Sequence, residues 1–193
     1  MIDTKKFRKV NKNEYAIITN SVLKISTKIL SVLKKIDYKI YIVLVNKTSK
    51  NNYPSIYLIP NNLTKDLVNF QQEINVNSAG LYLGFIKKGE FYLSLEGAEF
   101  LCKKGILSAI KFLYVNKKGE KSILYGNNIL KNMILKIPSN IQKEDYLLIF
   151  NELNEILALA QSKVESNNIK HLNPEDLVAF NLSDKGIYLR KKQ

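Results

Sequence analysis

The spacing of apolar residues changes partway along this chain, and that change limits its fold more than any other feature of the sequence. Between Asn13 and Ile36, apolar residues recur every three or four positions with no glycine or proline, which predicts a long helix. Beyond about residue 110, short apolar runs alternate with turn signals, which predicts a small barrel or sandwich. The sequence therefore predicts an α+β protein with two domains, residues 1–108 and residues 109–193.

The first domain is predicted to be an antiparallel sheet with helices. Its expected strands span residues 38–45, 55–59, 81–86 and 91–95. The last two of these strands flank Lys-Lys-Gly-Glu at residues 87–90, which predicts a hairpin. Besides the long helix, a short helix is expected within residues 97–105, and another after Pro60 with Asn62 as its cap. The inward face of that capped helix is predicted to consist of Leu63, Leu67, Phe70 and Ile74.

The second domain is predicted to consist mainly of short strands. They are expected at residues 111–115, 121–125, 146–150, 156–164, 177–180 and 187–189. A short helix is expected to begin at Asn173, because a proline follows it at the first helical position. Lys-Lys-Gly-Glu recurs at residues 117–120 and predicts a second hairpin turn.

An excess of basic residues points to a polyanionic partner. Thirty Lys and Arg against seventeen Asp and Glu give a formal net charge of +13, and nucleic acid is the first candidate. Both halves are basic, with 17 − 8 = +9 before residue 110 and 13 − 9 = +4 after it. The alternative is that the lysines serve solubility or reflect genome composition.

The residues that carry chemistry are too few and too scattered for an enzyme or a metalloprotein. The single cysteine, Cys102, excludes an internal disulfide, and with one histidine, His171, no Cys/His metal site is expected. No glycine-rich phosphate loop is present, and the carboxylates stand at turns and helix starts. No catalytic residue, metal ligand or cofactor is therefore predicted. The chain shows neither a signal peptide nor a membrane-spanning segment, so an intracellular protein without membrane contact is expected.

Six sequence segments occur in a distinctive order. In the second half they are residues 124–131 (Leu-Tyr-Gly-Asn-Asn-Ile-Leu-Lys), 146–162 and 174–190. In this order they resemble a PUA domain, an RNA-binding module. In the first half, residues 80–85, 88–91 and 96–101 extend the resemblance to a two-domain family, the nuclear import protein seven family of large-subunit ribosome-biogenesis factors. The chain departs from that family at residues 157–160 and 132–133, where glycine or small residues are usual.

The resemblance implies which residues contact RNA. By position in a PUA domain they are Tyr125, Gly126, Asn127, Asn128, Lys131, Lys163, Lys170, Arg190, Lys191 and Lys192. Gly126 would let the backbone approach a phosphate or ribose, the two asparagines would offer amides, and Arg190 would fork onto a phosphate. The alternative is that Gly126 only makes a turn and Asn128 only caps a helix.

The resemblance also implies a function. It is non-catalytic RNA binding on large-subunit precursor rRNA, by a monomer whose partners include other ribosome-biogenesis proteins and exosome components. An archaeal member of the family is favoured, which would place the protein in the cytoplasm, whereas a eukaryotic member would be in the nucleolus and nucleus. The alternative is a protein-interaction adaptor that recognises its partners through apolar helix faces, with RNA binding secondary.

Overall fold

The structure, a computed structural model, describes residues 6–25, 31, 35–44, 53–105 and 110–190. The chain divides into two compact units, Met1–Leu107 and Ser108–Gln193. The first unit holds an antiparallel sheet with helices, and the second holds a nearly closed β-barrel. The predicted α+β fold class is therefore confirmed.

A five-stranded antiparallel sheet organises the first unit. Its strands pair in chain order and are β1 (Lys6–Lys9), β2 (Tyr38–Leu44), β3 (Ser55–Pro60), β4 (Leu81–Lys87) and β5 (Glu90–Leu93). The helices described are α1 (Lys12–Ile25), α2 (Thr64–Glu73), which follows a 3-10 turn at Asn61–Leu63, and α3 (Leu95–Lys103). One core cluster joins the sheet to α2 through Phe7, Tyr41, Val43, Ile59 and Leu67.

The start of α1 is tied to β1 by an ion pair and a capping box. Arg8 donates to both carboxylate oxygens of Glu14, with nitrogen–oxygen distances of 2.8 and 2.6 Å. Asn11 Oδ1 accepts a hydrogen bond from the Glu14 backbone N–H at 2.8 Å, and Glu14 Oε2 accepts one from the Asn11 N–H at 2.9 Å. The hydrogen bond from Arg8 lowers the pKa of Glu14.

We expect Glu14→Gln to lower the free energy of unfolding at pH 7 by less than about 1 kcal/mol, because the Arg8 side chain is partly exposed. The pKa of Glu14 is lower in the folded than in the unfolded protein. The stabilisation is therefore complete above the unfolded pKa, about 4.3, and is lost as the pH falls through the folded pKa. Urea denaturation of both proteins from pH 7 downwards measures this, and a stability difference that does not change with pH would contradict it.

Six strands form the sheet of the second unit. They are β6 (Lys111–Val115), β7 (Ile129–Leu130), β8 (Ile134–Lys136), β9 (Tyr146–Phe150), β10 (Ile156–Ser162) and β11 (Leu177–Asp184). Across the sheet their order is β7-β11-β10-β9-β6-β8, in which β6 and β9 are parallel and the other pairs antiparallel. The residues described in this unit also form the α-helices α4 (Lys117–Leu124), α5 (Ser166–Ile169) and α6 (Ile187–Arg190), and a 3-10 turn at Lys131–Met133. The barrel core includes Leu113, Ile123, Ile129, Leu147 and Ala160.

Several predicted elements of the second domain are wrong. Residues 121–125 do not form a strand, because they end α4, and residues 117–120 are the first turn of that helix and not a hairpin. Asn116 caps α4, since its Oδ1 accepts a hydrogen bond from the Gly119 N–H at 2.8 Å. The cap and the burial of Ile123 select the helix where sequence spacing alone suggested a strand.

Two further predictions near the C-terminus are wrong. Residues 187–189 belong to α6 and do not form a strand. No helix begins at Asn173, because its backbone N–H donates to Asp176 Oδ2 at 2.7 Å and closes a turn. The short helix of this region is α5, which ends four residues before Asn173.

The predicted inward face of α2 is mostly wrong. Leu67 is buried, but Leu63, Phe70 and Ile74 are 46%, 53% and 61% exposed. Asn62 lies within the 3-10 turn, and no side chain caps that turn or α2. The predicted long helix is confirmed as α1 to residue 25, while residues 26–30 and 32–34 of that prediction lie outside the described residues.

Candidate nucleic-acid interface

A loop at residues 125–128 joins α4 to β7 and carries four of the predicted RNA contacts. The Tyr125 side chain is 66% exposed. Gly126 has a φ of +91°, a conformation that favours glycine. Asn127 Nδ2 donates to Ser122 Oγ at 3.2 Å, and Asn128 Oδ1 accepts from the Asn181 backbone N–H at 3.0 Å. The loop is thus tied down while the Tyr125 ring faces solvent.

Asn181, in the middle of β11, fixes the position of the loop through side-chain hydrogen bonds. Its Nδ2 donates to the carbonyl oxygens of Ile123 at 3.3 Å and Asn127 at 3.2 Å, and to Asp184 Oδ2 at 3.1 Å. Sequence reasoning missed this residue. A lone asparagine between Phe180 and Leu182 carries no local signal for such a role.

Arg190 locks the end of α6 against the end of α4. Its guanidinium donates to both oxygens of the buried Asp184 carboxylate, at 2.9 and 3.0 Å, and to the Leu124 carbonyl. The hydrogen bond to Asp184 raises the pKa of Arg190. The bidentate contact that the sequence predicted between Arg190 and a phosphate is instead made to the Asp184 carboxylate. Contact between Arg190 and RNA stays a prediction. The adjacent candidates Lys191 and Lys192 lie outside the described residues.

The other predicted lysines gather at the opposite end of β11. Lys131 Nζ donates to the backbone carbonyls of Lys170, at 3.1 Å, and Leu172. The Lys163 N–H donates to the Val178 carbonyl at 2.8 Å, and the side chains of Lys163 and Lys170 are exposed.

Strand pairing sets the distance between these lysines and the loop. The register of β7 on β11 sets Leu130 opposite Leu177, while the loop residue Asn128 binds Asn181. The two groups are therefore separated by about four residues of β11, roughly 13 Å. We call the set formed by Tyr125, Gly126, Asn127, Asn128, Lys131, Lys163 and Lys170 the β7 face.

The position of the loop depends on the cap of α4. Besides accepting the Gly119 N–H, Asn116 donates through Nδ2 to the Asn132 carbonyl at 2.9 Å. We expect Asn116→Ala to lower the free energy of unfolding by about 1 kcal/mol, because it removes the cap. Asn116→Asp keeps the capping oxygen and should recover part of the loss. Urea denaturation of the three proteins measures this, and an alanine variant as stable as the wild type would contradict the role of Asn116.

The described part of the chain contains no group of three or more His, Cys, Asp or Glu side chains placed to hold a metal ion. Burial raises the pKa of the half-buried Cys102 thiol, and His171 is exposed. Among the helices that the structure describes, none is both long and apolar enough to span a membrane.

Comparison with known proteins finds a family model that matches the second unit. Residues 111–193 match the family model of the UPF0113 PUA domain. This segment is therefore similar to the UPF0113 PUA domain. The β7 face lies entirely within it, as do Asn181, Asp184 and Arg190.

Similarity to relatives extends beyond this matched segment. The 60S ribosome subunit biogenesis protein NIP7 of Saccharomyces cerevisiae is 28% identical over 136 residues, 70% of this chain and 72% of that protein. The UPF0113 protein of Archaeoglobus fulgidus is 26% identical over 121 residues, 63% of this chain and 66% of that protein. The family resemblance drawn from the sequence is confirmed by these relatives.

Solved structures share the fold over nearly the whole chain. A PUA domain protein from Aeropyrum pernix superimposes with a TM-score of 0.61 at 13% identity, covering 98% of this chain and 92% of that one. A conserved PUA domain protein from Thermoplasma acidophilum gives a TM-score of 0.57 at 12% identity, covering 98% and 99%. At this identity the likeness establishes the fold.

Proposed function

We propose that this protein is a non-catalytic RNA-binding factor in the biogenesis of the large ribosomal subunit, and that its PUA domain grips precursor rRNA. The observation that carries the proposal is the β7 face, where an exposed aromatic ring and an amide-bearing loop lie roughly 13 Å along β11 from exposed ammonium groups. The role in ribosome biogenesis is supported by relatives named as 60S subunit biogenesis proteins.

The β7 face has the chemistry that single-stranded RNA requires. A base stacked on the exposed Tyr125 ring would gain about 1–3 kcal/mol. Lys163 and Lys170 would neutralise phosphates, and the affinity would fall with salt at a log-log slope of roughly −0.7 for each phosphate neutralised. The Lys131 ammonium already donates to two carbonyls, so it contributes charge from a fixed position.

The loop is prepared for binding by residues that need not touch RNA. Asn181 and Arg190 hold residues 123–128 through backbone carbonyls and a buried carboxylate. Less conformational entropy is then lost when RNA binds. We assign Arg190 this positioning role, and Lys191 and Lys192, which follow it in the sequence, the role of nearby charges.

We also propose an oligomeric state, partners and a location for the protein. The protein works as a monomer without a cofactor, together with other ribosome-biogenesis proteins, in the cytoplasm of an archaeon or in the nucleolus and nucleus of a eukaryote. The proposed function includes no catalytic step, because binding RNA through a PUA domain requires no reacting group.

Crosslinking of the protein to cellular RNA, followed by sequencing of the attached fragments, tests the proposal. We expect enrichment of large-subunit precursor rRNA at a few sites. Crosslinking no higher than that of an unrelated basic protein of similar charge would overturn it.

A second candidate function, a protein-interaction adaptor, is favoured by α2 and the residues that flank it. Leu63, Phe70 and Ile74 expose apolar side chains within this helix or directly at its two ends. Such a surface suits the apolar side of a partner protein among ribosome-assembly or exosome components. Pull-down after nuclease treatment tests it: partners retained by the wild type and lost in Phe70→Ser, but kept in the matched Val68→Ser, would support the adaptor. Loss of every partner on RNA digestion would exclude it.

A further inference from the structure

A cleft of about 450 Å³ lies in the first unit, at the end of the sheet where β1 finishes and β2 begins. Its volume falls in the range of small-ligand sites. Backbone hydrogen bonds fix its frame: the Val10 N–H donates to the Ile40 carbonyl at 3.4 Å, and the Asn61 N–H donates to the Asp37 carbonyl at 2.9 Å. Backbone hydrogen bonds therefore hold both sides of the cleft around the start of β2.

Three lysines give the cleft a positive charge. Lys9, Lys35 and Lys39 line it with exposed side chains, and none of them forms a salt bridge with another residue in the described parts of the chain. The lining contains one carboxylate, Asp37, which accepts a hydrogen bond from Asn61 Nδ2. The lining thus has a net charge of 3 − 1 = +2, and unpaired ammonium groups around a concave site attract an anion.

Two tyrosines add flat surfaces beside these charges. Tyr15 of α1 is 38% exposed and lines the cleft from the helix side. Tyr38 is held edge-on against Phe100, with ring centroids 5.6 Å apart. The aliphatic side chains of Val10, Ile36 and Ile40 complete the lining. Aromatic and aliphatic surface beside ammonium groups matches a ligand that combines an aromatic base with a phosphate.

We propose that this cleft binds a nucleoside phosphate, with its phosphate between the lysines and its base against Tyr15. The ligand is either one nucleotide of an RNA strand or a free nucleotide, since both present the same chemistry. The site lies in the first unit and shares no residue with the β7 face. It therefore goes beyond the proposed function of the PUA domain.

Binding by the full-length protein tests this site, with uridine and adenosine monophosphate and a short oligouridylate as probes. The cleft variants are Lys35→Gln/Lys39→Gln and Tyr15→Leu. The matched control is Lys65→Gln/Lys88→Gln, which removes two exposed lysines of the same unit that do not line the cleft. Thermal denaturation of each variant confirms that it is folded.

We expect the double-lysine cleft variant to bind about tenfold more weakly, and its salt slope for oligouridylate to decrease by about 1.4, because two phosphate contacts are lost. The control should bind as the wild type does. Weaker binding of both probe types would assign a nucleotide site open to free ligand. Weaker binding of oligouridylate alone would assign a site for a nucleotide within RNA. Unchanged affinity for every probe in both cleft variants would overturn the proposal.

The same titrations separate this inference from the proposed function. The variant Tyr125→Leu/Lys163→Gln/Lys170→Gln lacks three side chains of the β7 face. Adding the cleft substitutions to this variant should still weaken binding of the probes. If those cleft substitutions have no effect in either background while the β7 variant binds RNA weakly, the cleft is excluded and the PUA proposal stands.

Discussion

The variant Tyr125→Leu/Lys163→Gln/Lys170→Gln is expected to bind single-stranded RNA about 100-fold more weakly than the wild-type protein at moderate salt. Loss of stacking on Tyr125 costs about 1–3 kcal/mol, which is roughly 5- to 150-fold in affinity. Removal of two phosphate-neutralising lysines lowers the salt slope by about 1.4. All three side chains are exposed, so the fold should be kept. Fluorescence-anisotropy titrations over a series of salt concentrations measure both quantities.

A matched control distinguishes the loss of a specific RNA-binding site from a general loss of positive charge. Lys117→Gln/Lys118→Gln removes two exposed lysines at the opposite end of α4 from Tyr125. If this control loses as much affinity as the triple variant, the basic surface acts as a whole and the β7 face has no special role. An unchanged salt slope in the triple variant would also count against the proposed face.

The second large effect is expected from Gly186→Ala, which should lower the free energy of unfolding by about 3 kcal/mol. A Cβ at this position would lie 1.8 Å from the Leu124 carbonyl oxygen and 2.7 Å from Arg190 Nη1. The oxygen belongs to the backbone at the end of α4, so α6 must move away. That movement would break the hydrogen bonds of Arg190 to Leu124 and Asp184.

Urea denaturation and RNA titration together test the Gly186 prediction. The matched control is Gly89→Asn, because Gly89 has open space where a Cβ would stand and a φ of +78° that asparagine tolerates. We expect the control to retain both stability and RNA affinity. A Gly186→Ala protein with wild-type stability would show that α6 is not docked as described, and one with wild-type RNA affinity would separate Arg190 from the RNA-binding loop.

The sequence Lys-Lys-Gly-Glu occurs twice in the chain and adopts a different conformation each time. Lys-Lys-Gly-Glu at residues 87–90 forms the predicted hairpin, in which Lys88 and Gly89 have φ values of +50° and +78°. The same four residues at 117–120 begin a helix, because Asn116 caps it and Gly119 packs where a Cβ would lie 2.8 Å from Met133 Cβ. The four residues are the same at both places, and the preceding cap residue together with tertiary packing decided between the two conformations.

The sequence by itself determined the basic charge, the α+β class, most of the strands and the segments that resemble a PUA domain, because these depend on composition and on periodicity within a few residues. The tertiary structure decided which side chains adjoin. Asn128 meets Asn181 across 53 positions and Arg190 meets Leu124 across 66, through the pairing of β7 with β11 and the docking of α6. The exposed side of α2 was likewise decided by packing, since periodicity marks an apolar stripe but not what covers it. Contacts between distant residues arise only when the sheet closes, so no local pattern carries them.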